Sequence, residues 1–228
     1  MIEFLFIDLD DTILDFHKAE HIALAKTLQS FGLEPSEEVL ERYSQINKSY
    51  WERLERKEVT REALLVDRFG DLFAEYGMSV DPVQCARTYE KNLGTGHYFL
   101  PGAREAVESL SRKYKLYLAS NGTSHVQAGR IESADIAQFF QGIFISQEIG
   151  VNKPDVEYFN RCFARIPGFD RAKAMIVGDS LSSDILGGKQ AGICTCWVNP
   201  NGKTALADLQ PDYEIKSLSA LEDLLEVI

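Results

Sequence analysis

Five short apolar runs, at residues 3–8, 115–120, 143–146, 173–178 and 193–198, alternate along most of the chain with stretches whose apolar residues recur at helical spacing. This alternation constrains the fold more than any other feature. Strands joined through helices run parallel, and a parallel sheet needs both faces covered. A short sixth strand is expected near 213–215. Helices are predicted over 101–113, where Ala103, Ala106, Val107 and Leu110 recur, and over 155–165, with Asp155 as N-cap. Another is predicted over 182–191, starting at Ser182 or Ser183 and stopping at Gly192.

From about 15 to 95 the alternation stops, and only helical patterns remain, at roughly 18–31, 36–55, 61–76 and 80–92. Four helices in succession read as a separate bundle inserted after the first strand. The expected architecture is α/β: a Rossmann-like, mostly parallel core over 1–14 and 97–228, with a helical domain over 15–96. Asn92-Leu93-Gly94-Thr95-Gly96 reads as a flexible return.

The first strand ends in acid, Asp8-Leu9-Asp10-Asp11-Thr12. Three carboxylates at the end of a buried strand lose hydration and repel one another, which a fold tolerates if a cation sits there. Three further clusters follow probable strands: Ser120-Asn121-Gly122, Lys153-Pro154, and Gly178-Asp179-Ser180 through Asp184. Parallel strands bring all four to one sheet edge, where ligands bind in open α/β sheets. Carboxylates for a hard cation such as Mg²⁺, a lysine and neutral donors suit phosphoryl transfer.

Composition narrows the partners. With 24 basic and 35 acidic residues among 228, the net charge is −11, which disfavours polymeric nucleic acid and anionic membrane. No apolar stretch approaches the ~20 residues of a membrane span. No secretory signal is evident, and the four cysteines, Cys85, Cys162, Cys194 and Cys196, read as free thiols of a cytoplasmic protein. A monomer or dimer is expected.

Other readings of the acidic turn fail. Counted from Asp8, a calcium loop needs glycine and glutamate where Ile13 and Ala19 stand. A phosphoryl-receiver domain lacks both the helical insert and an acid two residues after the nucleophile. Gly187-Gly188-Lys189 does not complete a P-loop. His17 and His21 have no third ligand and read as solvent-facing or capping residues. Tyr43, Tyr50 and Trp51 are either bundle core or, for Trp51, a stacking surface.

In order and type, the four motifs resemble the haloacid dehalogenase-like (HAD) superfamily. The resemblance implies a nucleophilic Asp8 that forms an aspartyl-phosphate, and Asp10 as general acid and then base. It implies Mg²⁺ held by Asp8, Asp179 and the backbone carbonyl of Asp10, with Thr12 and Asp184 supporting the site from behind. Ser120, Asn121 and Lys153 would bind the phosphoryl group, and the helical insert looks like a C1 cap. Further residues, including Asn121-Gly122 with Gln127 and Arg130, the Ile46–Trp51 stretch and Cys196-Trp197-Val198-Asn199-Pro200, look like the YjjG/YfnB group, whose characterised members are described as pyrimidine 5′-nucleotidases. The implied substrate is a small phosphorylated metabolite, a nucleoside 5′-monophosphate, with Trp51 and His97 as candidate substrate contacts. Phosphoglycolate or sugar-phosphate hydrolysis, a phosphomutase and a catalytically silent binding protein are the alternatives. Asp11 is left without a chemical role and is expected to be replaceable.

Overall fold

Alternate residues of the first strand face opposite ways, and both faces are covered. The structure is a computed structural model describing residues 1–228. Strands β1 (Phe4–Ile7), β2 (Lys115–Ser120), β3 (Gly142–Ile145), β4 (Ala174–Gly178), β5 (Cys194–Val198) and β6 (Tyr213–Ile215) form one sheet in the order β3-β2-β1-β4-β5-β6. Every pair is parallel.

Four helices, α1 (Phe16–Ser30), α2 (Glu37–Glu55), α3 (Arg61–Tyr76) and α4 (Pro82–Leu93), lie between β1 and β2. Asp15, Ser36, Thr60 and Asp81 cap them, each accepting a hydrogen bond from a backbone N–H in the first turn. The bundle has its own apolar core, with Leu24, Tyr43, Phe69, Leu72 and Tyr89 at its centre. The chain leaves and re-enters the core along one short ribbon, where Asp15 N donates to Tyr98 O at 2.7 Å and Leu100 N to Ile13 O at 3.0 Å.

Behind the ribbon follow α5 (Ala103–Ser111), α6 (Ser124–Ala134), α7 (Ser146–Ile149), α8 (Val156–Phe163), α9 (Leu186–Ala191) and α10 (Leu221–Leu225). Leu5 and Ile7 face a cluster built with α5, α6 and α10, whereas Phe4 and Phe6 face one built with α8 and α9. Gly188 lets α9 lie directly on the sheet, since a Cβ there would collide with Ile176 and Thr195. That packing accounts for the Gly187-Gly188-Lys189 run.

The structure departs from expectation in several places, including the short helices α7 and α10, which the sequence pattern does not announce. The helix expected from Ser182 or Ser183 starts earlier, as a π-helical turn at Leu181–Ile185 whose N-cap is Ser180. Helix α6 was not anticipated, because its buried face carries Gln127 and Arg130 among Val126, Ile131 and Ala134 and so breaks the apolar period. The return segment is fastened: Asn92 Nδ2 donates to Thr27 Oγ1 at 2.9 Å, and Gly96 O accepts from Arg130 Nε at 3.0 Å. The four cysteines are free thiols. No helix is long and apolar enough to cross a membrane.

Candidate active site

Register places the motifs together. Ile7 pairs with Leu118 on one side and Val177 on the other, so Asp8, Ser120 and Asp179 leave three adjacent strands at one edge. Lys153, from the loop after α7, reaches into the same point and is buried. Its ammonium donates to Asp8 Oδ1 at 2.7 Å, Asp184 Oδ1 at 2.6 Å and Ala119 O at 2.6 Å. Three protons meet three acceptors. Burial works against this charge, but Asp184 and Asp8 outweigh it and hold Lys153 above its ordinary value.

Carboxylate oxygens of Asp8, Asp179 and Asp184 all lie within 4.8 Å of one another, a group able to hold a metal ion. Burial pushes the Asp8 carboxyl up to about 8, against Lys153 and with Asp184 and Asp10 adding to the effect. Asp179 is likewise raised by burial and then by Asp8 and Asp184. Raised carboxyls around one point mean that one lysine leaves negative charge uncompensated, and hard oxygen donors of this kind suit a divalent cation. Gly178 makes the cluster possible, because a Cβ there would collide with the Asp184 carboxylate.

Other expected residues stand differently. The Asp10 carboxylate is apart from the cluster: Oδ1 accepts from Arg130 Nη1, and Oδ2 from Gln127 Nε2 at 2.7 Å. Ser120 is buried, and its Oγ accepts from the same Gln127 nitrogen at 2.7 Å. The Asn121 side chain is committed to the lysine loop: Oδ1 accepts from Lys153 N at 2.9 Å and Nδ2 donates to Lys153 O at 2.8 Å. These two bonds brace the backbone that carries Lys153. Thr12 Oγ1 is buried without a partner. Asp11 is no spare residue. It holds φ at 55°, and its Oδ1 accepts from Phe16 N at 2.9 Å, starting α1.

A cavity of about 200 Å³ lies between this edge and the bundle, with Asp8, Asp10, Lys153 and Asp179 on one side and Phe16, Trp51 and Leu65 on the other. Trp51 thus faces the site. His97 does not: it is exposed at the ribbon, and its Nδ1 is 2.9 Å from Thr95 O. Tyr43 and Tyr50 belong to the bundle core.

The facing ends of α2 and α3, with the loop between them, reach the core. Arg61 donates to Gly122 O at 2.9 Å, Ser146 Oγ at 2.7 Å and Asn152 Oδ1 at 2.5 Å. Glu55 accepts from Ser182 Oγ at 2.9 Å, and Lys57 pairs with Asp155 at 2.8 Å. Burial, with Asp184 adding, pushes Glu55 up to about 7. Thr60-Arg61 shares in the resemblance to the YjjG/YfnB group and Asp155 reads as an N-cap, but Glu55 and Lys57 carry no sequence signal. Their polar character is ordinary for a helix end, and only the fold shows what they face.

Residues 5–198 match the family model for haloacid dehalogenase-like hydrolases. The chain belongs to this family. Among haloacid dehalogenase-like hydrolases, YfnB of Bacillus subtilis is 37% identical over 98% of this chain and 95% of its own. PynA of Streptococcus pneumoniae, a pyrimidine 5′-nucleotidase, is 36% identical over 98% and 95%. YjjG of Escherichia coli, also a pyrimidine 5′-nucleotidase, is 28% identical over 98% and 97%. The crystal structure of YfnB bound to magnesium, which reveals interdomain movement, matches with a TM-score of 0.94 over 98% of both chains.

Proposed function

We propose that the protein is a Mg²⁺-dependent phosphatase acting on pyrimidine nucleoside 5′-monophosphates, with residues 15–96 as a cap over the site. The observation that carries this reading is the buried Lys153, held between Asp8 and Asp184 beside Asp179, at the floor of a cavity with Trp51 in its roof.

Asp8 is the nucleophile: a carboxylate oxygen attacks phosphorus, giving an aspartyl-phosphate and releasing the nucleoside oxygen. Asp10 gives that oxygen a proton and then takes one from the attacking water. Lys153 sets a fixed positive charge beside the phosphoryl group, Ser120 holds one of its oxygens, and Asn121 and Asp184 keep Lys153 in place. The backbone N–H groups of Asp10 and Asn121, which line the cavity, donate to no backbone acceptor and are placed to meet the phosphoryl group. Mg²⁺, held by Asp8, Asp179 and the Asp10 carbonyl, would neutralise the charge that otherwise keeps phosphate and carboxylate apart. Trp51 offers a face for the base.

A panel of UMP, dUMP, dTMP, CMP, purine nucleotides, phosphoglycolate and sugar phosphates, ranked by kcat/KM with Mg²⁺ present, tests the substrate. Pyrimidine nucleotides should lead by at least ~10-fold; a lead by phosphoglycolate or a sugar phosphate overturns the nucleotidase reading. The metal has a readout independent of turnover. Millimolar Mg²⁺ should raise the melting temperature of the EDTA-treated protein, since a ligand that binds only the native state stabilises it. Asp179→Asn should abolish most of that rise. Equal rises in both proteins remove Asp179 from the metal site.

A further inference from the structure

Every side-chain hydrogen bond to the Asp10 carboxylate comes from one helix. Gln127 and Arg130 stand three residues apart on α6 and therefore share a face. Arg130 takes one oxygen of Asp10 and Gln127 the other. Arg130 Nη1 also donates to Gln127 Oε1 at 3.1 Å, so the two hold each other. Arg130 is completely buried. A guanidinium in that position is costly without an anion, and Asp10 is its ion-pair partner. Arg130 also touches both chain crossings between core and bundle. Its Nε donates to Gly96 O on the return at 3.0 Å, and its guanidinium lies 5.6 Å from the centre of the Phe16 ring on the way out.

We propose that Arg130, seconded by Gln127, is the positioning residue of Asp10, and that through Gly96 and Phe16 it ties the orientation of that carboxyl to the placement of the bundle. Arg130 itself touches neither the phosphoryl group nor the leaving oxygen. It acts through Asp10, and the proposal rests on Asp10 being the proton donor to the leaving oxygen. An Asp10 that has lost its holder samples other rotamers, and proton delivery fails for the fraction of time it points elsewhere. In formation of the aspartyl-phosphate, an ester with a poor leaving group suffers and one whose leaving group departs unprotonated does not; the later hydrolysis, where Asp10 serves as base, slows equally for both.

The test compares kcat/KM, which reports the reaction only as far as departure of the leaving group, for p-nitrophenyl phosphate and for the best alkyl phosphate from the substrate panel in wild type, Asp10→Asn, Arg130→Met and Arg130→Lys. Arg130→Met should lower kcat/KM for the alkyl ester by about 100-fold and change kcat/KM for p-nitrophenyl phosphate by less than ~5-fold. Arg130→Lys, which restores a cation, should recover about 10-fold of the alkyl-ester loss. Equal losses on the two esters in both Arg130 variants overturn the proposal, as does wild-type behaviour. If Arg130→Met does not fold, the leaving-group selectivity of Arg130→Lys decides alone. Asp10→Asn separates the two layers. Equal losses there remove Asp10 from the acid role. Selective loss in Asp10→Asn without selective loss at Arg130 removes only the positioning role.

Discussion

Asp8→Asn should lower turnover of every phosphate monoester by at least ~10³-fold while leaving the fold intact. The amide is nearly isosteric with the carboxylate but has no nucleophilic oxygen of comparable strength. The stability outcome distinguishes this from simple damage. Burial pushes the Asp8 carboxyl up to about 8, with Asp184 and Asp10 adding to that, so the fold disfavours its charge. A neutral amide relieves this repulsion and still accepts from Lys153. The metal-free variant should therefore melt no lower than the metal-free wild type at pH 7. An inactive but equally stable protein is the expected result. Wild-type-like turnover would sink the aspartyl-phosphate route.

Lys153→Met should do the opposite to stability. The stem is kept, but Asp8 and Asp184 lose the cation that each contacts within 2.7 Å. Removing one partner of a buried ion pair costs about 3–5 kcal/mol, or a fall of roughly 10 °C in melting temperature for a chain of this size. Turnover should fall by at least ~10³-fold, because the phosphoryl oxygens lose their fixed positive charge. The pH dependence has a definite sign. A carboxyl whose folded value is raised above its unfolded one stabilises fully below the unfolded value and loses that contribution as pH rises through the folded value. Asp8 is already raised from 3.8 to about 8 and rises further without Lys153. The deficit of Lys153→Met should thus be smaller at pH 5 than at pH 9. A deficit that does not vary with pH would show that lost packing, not unpaired charge, is the cause. Lys153→Arg should not rescue activity, since a planar fork does not meet three acceptors spaced around one nitrogen.

The sheet and the acidic edge were legible because their signals are local. A strand buried on both faces is a continuous apolar run, and carboxylates after such a run stand out against it. Helix α6 was illegible for the reason that makes it interesting: its buried face spends two positions on Gln127 and Arg130, which serve Asp10 and not the core. Asn121 was read as a donor to phosphate because its place after a strand is visible, whereas its two bonds to the Lys153 backbone depend on a loop 32 residues away. His97 lay close to the bundle boundary in sequence, but the ribbon turns it to solvent. Asp11 was judged by its charge, when its backbone conformation and its bond to Phe16 N decide its task.

In the proposed cap, the facing ends of α2 and α3 and the loop between them would be the latch onto the core. Arg61 bonds to Gly122, Ser146 and Asn152, Glu55 to Ser182, and Lys57 to Asp155. Lys57–Asp155 is an exposed pair and contributes little, whereas Arg61 and Glu55 are shielded from water, so their hydrogen bonds contribute on the order of 1 kcal/mol each. A closed state favoured by about 2–3 kcal/mol leaves roughly one to a few molecules in a hundred open at any moment. Such a population would admit substrate on the microsecond-to-millisecond scale of domain motion. Tightening the seam would slow product escape, and loosening it would let water reach the phosphorylated aspartate early, so a weak latch is a compromise between the two.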